Sequence, residues 1–115
     1  MGLIQEFPIA TAFNLANFLP VEKDTAVAKT IFHRDNDLTI YIRALDAGET
    51  FGTHTVNFEA IVQVLEGSAT ITVNDFANIV KAGEAIVIPE GATHSVVAIT
   101  AAKLYVTAVY PTAKA

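Results

Sequence analysis

Short runs of β-branched residues, each ended by turn-forming residues, constrain the fold of this chain most strongly. Val, Ile and Thr together make up 36 of the 115 residues, and branching at Cβ favours the extended backbone over the helix. Gly, Pro, Asn and Asp recur where these runs stop. The pattern predicts nine short strands in an all-β sandwich or barrel, at 26–33, 38–45, 50–54, 60–65, 69–73, 76–80, 85–88, 93–99 and 104–110.

The charge balance and the absence of cysteine exclude several classes of function. The chain has 12 acidic and 7 basic residues, a formal charge of −5, and no cysteine. Binding to nucleic acid or to an anionic membrane needs clustered Lys or Arg, so we expect neither. Disulfides, thiolate metal sites and cysteine nucleophiles are ruled out. The first residues lack the basic stretch of a secretory signal, so we expect a soluble, cytoplasmic domain.

The chain is expected to form one domain with two less regular ends. Residues 1–25 form an N-terminal segment that is either irregular, with a helical turn or strand near 14–19, or a strand exchanged with a partner subunit. Residues 26–110 form the barrel, and 111–115 form a tail. Charged residues are only 17% of the chain, so we expect part of its apolar surface to be buried in a homodimer.

Two of the three histidines stand in similar surroundings, each after a turn marked by glycine. His54 lies within GETFGTHTVNFEAIVQVLEG, which runs from Gly48 to Gly67, and His94 lies within GEAIVIPEGATHSVVA, from Gly83 to Ala98. These stretches resemble the two motifs of the cupin superfamily, and the likeness extends over about 26–110. It implies a small single-domain cupin, a jelly-roll-type β-barrel with a site inside one end. His33, beside a predicted turn, is expected to be an exposed residue.

The resemblance also implies where a metal would bind. Metal-binding cupins use a His-x-His pair, a glutamate and the histidine of the second motif, and here only His54 and His94 match. Val56 and Ala60 stand at the other two positions and cannot bind a metal. Glu59 lies one residue early, which in a regular strand turns it to the opposite face. It could still face inward if 55–58 form a loop that has not yet become strand, or if a bulge intervenes. His54, His94 and Glu59 would then form a two-His-one-carboxylate site for Mn, Fe, Ni or Zn.

These features leave several functions open. The first is a module that binds a small organic ligand in an apolar pocket formed by His54, His94, Phe51, Val56, Phe58 and Ala60. The second is a metal-dependent oxygenase, isomerase or lyase that acts on a small oxygenated substrate. Metal-free acid–base catalysis by His94 is the third. Arg43 either binds a substrate carboxylate through two parallel hydrogen bonds or lies on the solvated face of its strand.

Overall fold

The computed structural model describes residues 3–111, which form nine strands and one 3₁₀ turn. This confirms the expected all-β fold. The strands are β1 (Ala26–Arg34), β2 (Leu38–Leu45), β3 (Thr50–Thr55), β4 (Glu59–Glu66), β5 (Ser68–Val73), β6 (Phe76–Lys81), β7 (Ala85–Ile88), β8 (Thr93–Ala98) and β9 (Ala102–Val109). None of the described helical segments is long and apolar enough to cross a membrane.

The strands are arranged in two antiparallel sheets. One has five strands in the order β1-β2-β9-β4-β7, and the other has four in the order β3-β8-β5-β6. Strand β4 shows how the sequence divides between core and surface, because Ala60, Val62 and Val64 are buried while the residues between them are exposed. The inward-facing aliphatic side chains of both sheets form one core. Burial of their apolar surface is the dominant favourable contribution to the free energy of folding.

Gly67 makes the tight connection between β4 and β5. Its φ is +76°, in the left-handed region that side chains disfavour. A Cβ at this position would lie 1.9 Å from the carbonyl oxygen of Ala101. The backbone of the neighbouring turn therefore approaches too closely for any residue with a side chain.

The N-terminal segment lies against the outer face of the five-stranded sheet. Residues 3–25 contain no strand, and a 3₁₀ turn at Leu15–Asn17 occupies the region where a helical turn was one expectation. Lys103 is 8% exposed and its ammonium group donates a hydrogen bond to the carbonyl oxygen of Ala16, at 2.6 Å. The same group lies 3.2 Å from a carboxylate oxygen of Glu66. A buried ammonium needs such partners, and its bond to Ala16 ties the segment to the sheet.

Most strand boundaries agree with the predicted ones within one or two residues. Strands 38–45 and 85–88 begin and end where predicted. Strand β4 begins at Glu59 rather than at residue 60, and β3 continues to Thr55. Of the predicted tail, 112–115 lie outside the described residues.

Candidate functional site

His54 and His94 are brought together by strand register. They are direct partners in the antiparallel pair β3–β8, so their side chains leave the same face of the sheet. Their ring centres are 5.9 Å apart. The pairing depends on a bulge, since the register of β3 shifts by one residue between Phe51 and His54. Without this extra residue, alternation would turn Thr53 inward instead of His54.

His94 lies at the wall of the barrel interior. Its Nδ1 atom is buried and has no hydrogen-bond partner among the described residues. Burial lowers the pKa of His94 below 6.5, and the nearby His54 and Arg43 lower it further. The imidazole is therefore neutral near pH 7, with one ring nitrogen able to donate and the other able to accept.

Arg43 carries a positive charge into the same pocket. Its guanidinium carbon lies 3.6 Å from the ring centre of Phe51 and 4.8 Å from that of Tyr41. In the part of the chain that the structure describes, the ion pairs involve other side chains and none includes Arg43. Of the two placements that the sequence left open for Arg43, the structure has the inward one.

The pocket is narrow and mostly apolar. The room left for the centre of a water molecule is about 20 Å³, enough for about one water. Three polar side chains line it: the guanidinium of Arg43, the imidazole of His94 and the phenol of Tyr41. The remaining wall is formed by Phe51, Phe58, Ala60, Val62, Ile88, Val96, Leu104 and Val106.

The structure brings together most, but not all, of the residues expected in the pocket. His94, Phe51, Phe58 and Ala60 line it, and His54 is exposed beside His94 at the rim. Val56 is half-buried against the core, and its carbonyl oxygen accepts a hydrogen bond from the Gly91 N–H at 2.9 Å. Its backbone thus helps to fix the loop that leads into His94.

Glu59 is not brought to the two histidines. It is exposed on β4, while its neighbour Ala60 is buried and lines the pocket. It lies beside Glu90 and Tyr110 on the outside. Strand β4 pairs without a bulge from Glu59 to Val64, so the alternation that predicts an outward Glu59 holds, and the bulge that could have turned it inward is absent from this stretch.

The side chains at this site do not fit the metal that the resemblance implies. No group of three or more His, Asp or Glu among residues 3–111 is placed to hold a metal ion. His54 and His94 supply two imidazoles, whereas the sites known for such metals use three or more protein ligands. Val56 and Ala60 offer no further donor.

The fold and the site define a small β-barrel protein with a pocket lined by residues of both sheets. Residues 41–110 match the family model described as the cupin domain, and the chain belongs to the cupin family. A search of the curated proteins gives no match.

Solved structures agree with this assignment. A conserved protein of unknown function from Streptococcus pyogenes is 31% identical with a TM-score of 0.92, and the match covers 98% of each chain. A cupin superfamily protein from Desulfitobacterium hafniense is 15% identical with a TM-score of 0.88, covering 94% of this chain and 98% of the other. A cupin 2 conserved barrel domain protein from Leptotrichia buccalis is 28% identical with a TM-score of 0.81, covering 84% of this chain and 47% of the other.

Proposed function

We propose that this cupin-domain protein binds a small organic ligand in the pocket of His94 and Arg43, with His54 at its entrance. The observation that carries the proposal is the buried Nδ1 atom of His94, which has no partner among the described residues. An unsatisfied buried polar atom costs about 1–3 kcal/mol. A ligand that supplies the missing hydrogen bond removes this cost.

The pocket wall supports an organic ligand rather than a bare ion. Small-molecule sites are mostly apolar, with a few polar groups that set orientation. Here three aromatic and six aliphatic side chains surround one imidazole and one guanidinium. Since the interior has room for about one water, a polar end of the ligand enters the barrel and the rest lies at its mouth.

A fragment screen by NMR on labelled protein tests the proposal. We expect some fragments to shift the signals of His94 and Phe51 in the wild type, and His94→Ala to weaken this binding. His33→Ala is the matched control, because His33 lies elsewhere, bonded to Thr39 and Asp35 at 2.7 Å each. A broad screen that shifts no pocket signal would refute the proposal.

A metal-dependent enzyme remains the second candidate function, and only the pairing of His54 with His94 favours it. Two imidazoles with ring centres 5.9 Å apart provide half of a metal site. The enzyme would need a further ligand, which Glu59 does not supply from the outer face. Metal analysis, described in the Discussion, separates this candidate from the first.

We also propose that the chain forms a homodimer. The outer face of the five-stranded sheet supports this, because Ile61 and Val87 are register partners there and are 46% and 52% exposed. Light scattering at micromolar concentration should give about twice the monomer mass of 12.2 kDa. Ile61→Lys should shift the mass towards the monomer, and a wild-type monomer would contradict the proposal.

A further inference from the structure

We infer that the ligand is a small monocarboxylate whose carboxylate group is bound by Arg43. This inference rests on the proposed function and specifies the chemical class of its ligand. The pocket holds one guanidinium, and no Asp or Glu is among the residues that line it. Arg43 also has no carboxylate partner among residues 3–111. A cation in such surroundings has an incomplete set of partners.

The packing of Arg43 leaves its hydrogen-bonding edge available. Phe51 and Tyr41 lie against the guanidinium at 3.6 Å and 4.8 Å from their ring centres. Rings that attract a cation use their faces, whereas the N–H donors of the guanidinium point outward in its own plane. Among residues 3–111, the arginine side chain that forms a hydrogen bond and an ion pair is Arg34, with Asp37, and not Arg43. A carboxylate can therefore accept two parallel bonds from Arg43.

The other pocket groups favour a single negative charge on an apolar body. His94 can donate one hydrogen bond to a carboxylate oxygen while remaining neutral. The pocket offers no second permanent cation for a second carboxylate. At the mouth, Val73 is the register partner of both His94 and Phe76, and these side chains leave one face of the sheet. Phe76 is 76% exposed, which provides apolar surface for an alkyl or aryl body.

Matched acids and amides test the charge requirement. The probes are acetate, butyrate and benzoate, each against its neutral amide, with binding measured by NMR titration of wild-type protein, Arg43→Gln and Arg43→Lys. We expect one or more acids to bind at least about tenfold more tightly than the amide. Arg43→Gln should remove this preference, and Arg43→Lys should restore it only in part, since an ammonium cannot form the two parallel bonds.

Two further measurements keep the inference testable if the Arg43 variants fold poorly. In wild-type protein, the Nε–H signal of Arg43 should shift with the acid and stay in place with the amide. Arg34→Gln is the matched control, because Arg34 is an exposed arginine that already pairs with Asp37 at 3.3 Å. The Arg34→Gln protein should prefer acids over amides as strongly as the wild type does.

The outcomes separate this inference from the proposed function. Amides that bind as well as the acids, or a neutral fragment that occupies the pocket when no acid binds, would overturn the carboxylate inference and leave the proposed function standing. A pocket that takes neither these probes nor any fragment would overturn both. An acid preference that survives unchanged in a folded Arg43→Gln protein would also overturn the inference.

Discussion

Arg43 and Phe51 make a contact between the two sheets inside the pocket. Arg43 belongs to β2 of the five-stranded sheet and Phe51 to β3 of the four-stranded sheet, and the guanidinium carbon lies 3.6 Å from the ring centre. This contact fixes the position of the only permanent charge among the pocket-lining residues. The pocket that both side chains line has room for about one water molecule.

The first prediction is that Arg43 and Phe51 are energetically coupled. A double-mutant cycle with Arg43→Met and Phe51→Leu, followed by urea unfolding, should give a coupling of about 0.5–2 kcal/mol, the range of cation–π contacts. Arg34 and Phe32 provide the control pair, because their separation is 5.5 Å and Arg34 is exposed. Their coupling should be smaller, and equal coupling in both pairs would contradict the prediction.

The second prediction concerns the stability of the fold in mild acid. Burial, His54 and Arg43 lower the pKa of His94 below 6.5, so between that lowered value and 6.5 the unfolded chain binds more protons than the folded one. The contribution of His94 to stability is therefore complete above pH 6.5 and declines as the pH falls through this window. The free energy of unfolding of His94→Gln should depend less on pH than that of the wild type. If the free energy of unfolding depends on pH identically in both proteins, the prediction is wrong.

Strand positions followed from the sequence wherever turn residues marked both ends. Strand β2 lies between Asp37 and Asp46, and β7 lies between Gly83 and Pro89, and both were bounded correctly. Local turn chemistry is sufficient there, because these residues stop a strand whatever it packs against. The predicted start of β4, at residue 60, is one residue too late, since no turn residue marks the boundary between Phe58 and Glu59.

The site was only partly predictable because two of its features depend on other strands. The motifs located His54 and His94, but the bulge that makes them register partners is a property of the β3–β8 pair. Arg43 could not be assigned to a face from the sequence, since its neighbours Ile42 and Ala44, on the opposite face of β2, are apolar and fully buried. A strand covered on both faces gives no alternation between apolar and polar residues.

The third prediction separates the cost of a positive φ from the cost of a steric clash at two glycine turns. Gly67→Ala should destabilise the protein by more than Gly48→Ala, measured by urea unfolding. Both glycines have positive φ, +76° and +82°, which costs a residue with a side chain about 1–3 kcal/mol. Only Gly67 adds a collision with the carbonyl oxygen of Ala101, since nothing lies within 4 Å of a Cβ at Gly48. Equal losses of unfolding free energy would contradict the prediction, because they would show that the turn at Ala101 moves aside without cost.

The fourth prediction is that the purified protein holds metal well below one equivalent, even after incubation with Mn, Fe, Ni or Zn. Two imidazoles are the donors available at the site, because Val56 and Ala60 stand at the other ligand positions and Glu59 points outward. Metal analysis of tag-free protein, prepared without chelator, should give similar low values for the wild type, the double variant His54→Ala/His94→Ala, and Glu59→Gln. About one equivalent in the wild type, lost in the double variant, would refute this and favour the metal-dependent enzyme. Loss in Glu59→Gln as well would show that this carboxylate reaches the metal, whereas retention there would assign the remaining coordination positions to water.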